Sequence, residues 1–275
     1  MTKYAYLGPS GTFTEMALRK ITTDADELIP CSNVTAALDA VRNGEAQKAL
    51  VPIENSVEGV VARTLDELAV GDPLIISAET VIPVSFTLFT LKSNASKALT
   101  RIATHPHAES QCRSYVAKNY PHVEMVETPS TAAAAAGLVN GSWDGAIAAP
   151  INGEKYDLSI VAEDIGDIQG AVTRFVVVEK PGPTPPATGN DRTSLATFIN
   201  IDHAGALLEI LQEFAKENVN LTFIQSRPTG RQLGHYHFII DVEGHISDEP
   251  VARAIEGVRG ICDEIRFLGS YSRVE

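Results

Sequence analysis

Cysteine is scarce in this chain: Cys31, Cys112 and Cys262 are the only three in 275 residues, far apart and without a CxxC pair. That argues against a disulfide framework and suits a reduced cytoplasmic protein. No apolar run reaches the roughly 18 residues a membrane helix needs. No charged stretch followed by an apolar one opens the chain; Met1-Thr2-Lys3-Tyr4-Ala5-Tyr6-Leu7 reads straight into a strand, so no secretory leader is expected. Basic residues are few, with 22 Lys and Arg against 35 Asp and Glu and a net charge of -13. A general nucleic-acid binder needs a basic face, so that class is disfavoured. A nucleotide loop is disfavoured too, because neither GxGxxG nor a glycine loop ending in Lys-Ser/Thr occurs. His105-Pro106-His107 and the pair His235 and His237 lack further ligands nearby, so no metal site is expected. No nucleophilic triad stands out, and Cys112 reads as a core residue.

What is present divides into two parts. Apolar residues at 44% and charged residues at 21% describe a globular protein long enough for two domains. Residues 1–180 alternate short apolar runs with amphipathic stretches. Strands are expected over 4–7, 28–30, 49–53, 74–78, 85–91, 102–104, 123–126, 145–148 and 174–178. Helices are expected over 14–20, 35–43, 60–70, 108–119 and 131–140, the last capped by Ser130 or Thr131. The order implies an α/β domain with a mostly parallel sheet. A β-rich stretch over 74–92 reads as a crossing into a second lobe, about 80–158, and two lobes make a cleft. Residues 181–192 follow, with four prolines and two glycines between Pro181 and Asn190, a semi-rigid spacer. Residues 193–275 read β-α-β-β-α-β, a ferredoxin-like unit with a turn at Arg227-Pro228-Thr229-Gly230.

Three segments carry candidate chemistry. Gly8-Pro9-Ser10-Gly11-Thr12-Phe13-Thr14 joins a strand to a helix, as a tight turn or as an anion site at the helix start. Asn55 and Ser56 follow a buried strand at its carboxyl end; they bind a ligand there or cap the next helix. Thr173-Arg174-Phe175 begins a strand after a long polar loop. It places a hydroxyl, a fixed charge and an aromatic ring in sequence, unless Arg174 is an ordinary surface ion pair.

Together with His105–His107, the stretch from Tyr156 to Val178, Gly205-Ala206-Leu207-Leu208 and Ser226-Arg227-Pro228, these segments resemble the prephenate dehydratase family with its regulatory ACT domain. They occur in the family's order and span nearly the whole chain. The resemblance implies a bilobed catalytic domain similar to type II periplasmic binding proteins, a cleft active site, no cofactor, and a monofunctional enzyme. It also implies a homodimer or homotetramer that binds L-phenylalanine at the ACT domain. Two departures occur: Ala171 where the family often has Asn, and Gln225-Ser226-Arg227-Pro228 where it has Glu-Ser-Arg-Pro, with Phe223 at an often basic position.

On this resemblance Thr173 is the expected acid for the departing hydroxide of prephenate. Arg174 is expected to grip the pyruvyl carboxylate, while Phe13 and Phe175 face the departing ring carboxylate. Ser10, Gly11, Thr12, Asn55 and Ser56 complete the substrate contacts. The effector is expected at Gly205, Ala206, Leu207 and Leu208, with Asn220, Ser226 and Arg227. Two rival readings are an arogenate dehydratase and a non-enzymatic ligand sensor.

Overall fold

The computed structural model describes residues 1–199, 203–228 and 236–274. The first lobe runs β1 (Lys3–Leu7), α1 (Phe13–Arg19), β2 (Glu27–Cys31), α2 (Val34–Arg42), β3 (Lys48–Asn55), the short β4 (Gly59–Val60), α3 (Ala62–Val70) and β5 (Ile75–Pro83). The chain then crosses to a second lobe of β6 (Thr87–Thr90), β7 (Arg101–Thr104), α4 (Pro106–Gln111), α5 (Arg113–Asn119) and β8 (Glu124–Glu127). That lobe continues with α6 (Thr131–Val139), β9 (Gly145–Ala148), α7 (Ile151–Lys155) and β10 (Ser159–Ala162). It returns through β11 (Val172–Glu179), and the C-terminal unit follows as β12 (Asp191–Phe198), α8 (Ala206–Lys216), β13 (Leu221–Pro228), β14 (Tyr236–Glu243), α9 (Glu249–Arg259) and β15 (Glu264–Ser272).

The first sheet has the order β2-β1-β3-β11-β5 and the second β10-β6-β9-β7-β8. Both are mixed rather than mostly parallel. β1, β2 and β3 are parallel, but β11 runs antiparallel to β3 and β5 because β5 leaves the lobe and β11 comes back. Because β10 pairs with β6, the second lobe reaches past the expected residue 158, and β5 stays in the first sheet through Pro83. The expected helix over 60–70 begins at Ala62 instead. Asn55 Oδ1 accepts from the amides of Val57 and Glu58 at 2.8 Å, which reverses the chain so that Gly59–Val60 pairs with β3. The stretch expected as one helix over 108–119 breaks at Cys112, where ψ is 10°.

The C-terminal sheet is fully antiparallel in the order β13-β14-β12-β15, as a βαββαβ unit requires. Both of its faces carry packing. Leu195, Ile240 and Val242 pack under α8 and α9, whereas Ala196, Ile239, Leu268 and Tyr271 join the first lobe's core with Leu65, Leu68 and Val176. Residues 181–192 therefore do not separate two beads: the units share one apolar core, and His245 Nε2 lies 2.9 Å from the Pro185 carbonyl. His237 is a core residue, stacked on Phe198 at 5.1 Å, and burial holds its pKa below the usual range. His235, Thr229 and Gly230 lie outside the described residues. Among the described residues no helix is long and apolar enough to cross a membrane.

The close approach of the two units depends on Gly269. Its φ is +145°, and a Cβ there would sit 2.1 Å from the Ile76 carbonyl oxygen on β5. Gly269→Ala is expected to lower unfolding stability by about 2 kcal/mol or more through overpacking and backbone strain. The check is the urea midpoint at unchanged m-value, and a midpoint equal to the parent's would show that the contact yields freely.

Candidate active site

Leu7 and Asn55 in the first lobe, and His105 and Pro129 in the second, stand at or just past the carboxyl ends of β1, β3, β7 and β8. All four face the gap between the lobes, the position where open α/β sheets collect ligands. The gap holds a cavity of about 560 Å³. The first lobe supplies Thr12, Phe13, Asn55 and Thr173; the second supplies Val84, Phe86, His105, Gln111 and the start of α6. Phe13 and Phe86 meet edge to face across the gap, with centroids 5.6 Å apart.

Thr173 and Asn55 are cross-strand partners, and Asn55 Nδ2 donates to Thr173 Oγ1 at 2.7 Å. Asn55 cannot turn over, because its Oδ1 already accepts from two backbone amides. The Thr173 oxygen therefore receives a hydrogen bond and keeps its own proton to donate. Beside this pair the β3–β11 ladder has a bulge, with Arg174 opposite Glu54 and Phe175 opposite Pro52. Pro52 has no N–H for the ladder, and such bulges re-aim neighbouring side chains.

Among the described residues lining the cavity, none is Lys, Arg, Asp or Glu. Three helix starts face it instead: α1 capped by Thr12, α4 by His105 and α6 by Ser130. First-turn amides lack intrahelical acceptors and carry the positive end of the helix dipole, so they suit an anion. His105 Nδ1 accepts the His107 amide at 3.2 Å, which leaves Nε2 to carry the proton. Burial, and then His107, hold the His105 pKa below its usual range, so it stands as a neutral donor. Among the described residues no cluster of three or more His, Cys, Asp or Glu is placed for a metal.

Polar contacts tie the lobes together around the cavity. Asn152 Nδ2 donates to the Gly11 carbonyl at 2.8 Å, and Gln111 Nε2 donates to Glu58 Oε1 at 2.7 Å.

Several expected contacts are corrected. Arg174 does not enter the cleft. Successive strand side chains point to opposite faces, so with Thr173 forward, Arg174 turns back toward the C-terminal unit. There its guanidinium lies 2.9 Å from Asp241 and 3.4 Å from both Glu79 and Glu54. Burial opposes its charge, but Asp241 foremost outweighs that and raises its pKa. Phe175 points forward but packs into the core with Tyr6 and Leu50, away from the cavity. Ser10 Oγ donates to Glu15 and receives Lys155 Nζ, on the far side of the loop. Gly11 spends its amide on Glu15 and its carbonyl on Asn152. Ser56 Oγ accepts the Val172 amide beside Arg174, on the back of the sheet. Arg227 pairs bidentately with Asp66 of α3 at 2.8 and 2.7 Å, so it faces the first lobe rather than an effector. Thr12, Phe13, Asn55 and Thr173 line the cavity together. Ser130, His105 and Phe86 were not among the expected site residues; the first two were legible as helix starts after parallel strands, whereas Phe86 carried no such signal.

In the C-terminal unit Ala206 is buried, Leu207 is half-buried, and Gly205, Leu208, Asn220 and Ser226 are exposed. Gly205 caps α8 with φ +99°, and among the described residues no side chain caps that helix start.

A family model described as prephenate dehydratase matches residues 4–183, and one described as the ACT domain matches 195–260. A prephenate dehydratase of Amycolatopsis methanolica is 43% identical over 276 residues, spanning 100% of this chain and 90% of that protein. The crystal structure of a prephenate dehydratase from Arthrobacter aurescens in complex with L-Phe is 48% identical, with a TM-score of 0.91 over 98% of this chain and 90% of that one. A quorum-quenching acylase structure is 27% identical, with a TM-score of 0.86 over 99% of this chain and 98% of that one.

Asn152 is fully buried, and its Nδ2 also donates to the Ala149 carbonyl at 2.9 Å. Asn152→Ala should strand the Gly11 carbonyl, while that of Ala149 keeps the residue-152 amide at 3.1 Å, and cost about 1–3 kcal/mol for the lost partner. Denaturant unfolding of the variant checks this, and a cost below the measurement error would mean that water replaces the amide.

Proposed function

This chain belongs to the prephenate dehydratase family, and from that membership we propose that its cleft converts prephenate into phenylpyruvate, CO2 and water. Residues 1–180 carry the chemistry and 193–275 the regulation. The observation that carries the mechanism is the Asn55–Thr173 pair at the cavity wall.

Prephenate enters as a dianion. Its ring carboxylate leaves as CO2, the electron pair aromatises the ring, and the C4 hydroxyl departs. Aromatisation drives the reaction, so the barrier lies in expelling hydroxide. Thr173 donates its proton to the leaving oxygen as the C–O bond breaks. Asn55 Nδ2–H stabilises the charge left on Oγ1, an electrostatic aid held in place before the reaction starts. One proton is taken up per turnover, and Thr173 regains its own from solvent.

The carboxylates need different surroundings. The pyruvyl carboxylate keeps its charge, and the first-turn amides of α6 beside Ser130 suit it. The ring carboxylate loses its charge, so a tight ionic grip on it would stabilise the ground state more than the transition state. Phe13, Phe86 and Val84 give it an apolar wall. The lack of a carboxylate among the described lining residues favours the keto acid prephenate over arogenate, whose ammonium would need a partner. It also disfavours an acylase reading, since acyl transfer needs a hydroxyl paired with a base and Thr173 instead receives an amide donor.

L-Phenylalanine is the effector of this reading, seated at the open start of α8 with Asn220 and Ser226 beside it. The ACT-domain match and the L-Phe complex of the Arthrobacter aurescens relative support this. β13 is an edge strand with Ile224 43% exposed, which suits pairing with a second copy in a homodimer or homotetramer. Cys31, Cys112 and Cys262 are all free, which fits a reduced cytoplasmic setting.

Phenylpyruvate absorbance during incubation with prephenate is expected to rise, and faster than with arogenate. Thr173→Val should lower kcat by about 10²–10⁴-fold with KM within a few-fold. Parent-level kcat in a folded variant would remove the acid role. Calorimetry should show heat on titrating phenylalanine, and Ser226→Ala should weaken that binding by about 1 kcal/mol or more, the worth of a lost hydrogen bond. A flat titration of the parent chain would end the effector reading.

A further inference from the structure

The back of β11 carries a group of buried charges for which the dehydration has no direct use. Arg174 and Arg192 lie among Glu79 and Asp241, each about 1% exposed at the side chain, with the half-exposed Glu54 at the edge. Buried carboxylates of this kind are costly unless paired, and losing a partner is costlier still. Asp241 belongs to β14 of the C-terminal unit, whereas Arg174, Glu54 and Glu79 belong to the first lobe. Asp241 is itself anchored, with Oδ1 accepting from Ser194 Oγ at 2.6 Å. The Phe223 ring, opposite Asp241 on β13, lies 5.6 Å from the Arg174 guanidinium carbon.

Arg174 faces Glu54 across the same ladder in which Thr173 faces Asn55. The ion pair behind the sheet and the hydrogen bond in front therefore fix adjacent rungs. Arg174 Nε and Nη2 and Asp241 Oδ2 make no directional hydrogen bond, so charge rather than direction holds this contact. A small movement of β14 can then carry Arg174 with it.

We propose that Asp241 is a positioning residue for the dehydration: through Arg174 it holds β11 so that Thr173 meets the leaving hydroxyl. This rests on the reading of Thr173 as the acid. It also gives the effector a route, because β13, with Ser226, is hydrogen-bonded to β14 along its length.

The test is steady-state kinetics on the full chain with prephenate. Asp241→Asn keeps the size and the Ser194 contact but removes the charge. It should lower kcat at least tenfold with KM within twofold, and reduce the rate change caused by phenylalanine to less than twofold. Phe223→Leu, which leaves all charges in place, should lower kcat about threefold in the same KM-independent way. If Asp241→Asn does not fold, that variant decides. In a Thr173→Val background, Asp241→Asn should change kcat less than twofold, because both act at one step; a merely structural role would give additive losses. Folded variants with parent kcat, or additive losses in the double variant, overturn the proposal. Parent-level activity in Thr173→Val alone would instead overturn the acid role, so the two failures are distinct.

Discussion

β11 is paired on both edges, by β3 and by β5, which assigns its two faces to opposite sides of the sheet. Its side chains must alternate between the cleft and the C-terminal unit. Thr173 and Arg174 consequently do different work a single residue apart. The hydroxyl faces the cavity beside Asn55, and the guanidinium faces the acids behind the sheet. The cavity wall and the domain contact both follow from that one doubly paired strand.

The same constraint bears on how a protein of net charge -13 receives a dianion. With Arg174 behind the sheet, the described cavity wall holds no fixed cation. On the proposed reading, backbone amides at helix starts take that role, and they are local, oriented and neutral overall. Such donors stabilise a carboxylate that persists without gripping strongly one that must leave. The arginine placed behind the sheet meanwhile offsets the buried acids that join the two units.

The shared apolar core changes the meaning of the proline-rich stretch over 181–192. Composition alone marks it as a spacer, yet Ala196, Ile239 and Leu268 pack into the first lobe. Such a stretch still allows the chain to pass from one sheet to the next without adding a strand, because proline cannot donate to a ladder. It bridges two surfaces that are already in contact.

Much was legible in the sequence because it depends on local patterns. Strand and helix periodicity marked both lobes and the βαββαβ unit, and the helix start at Ser130 was readable from its capping residue. Thr173 and Arg174 were both expected at the substrate, although a period of two already forbids adjacent strand residues from sharing a face. What only the tertiary structure decided were the partners: Asn55 with Thr173 across 118 positions, Asn152 with Gly11, Asp241 with Arg174. Those pairings depend on which sheet edges meet and in what register, and no local pattern carries that information.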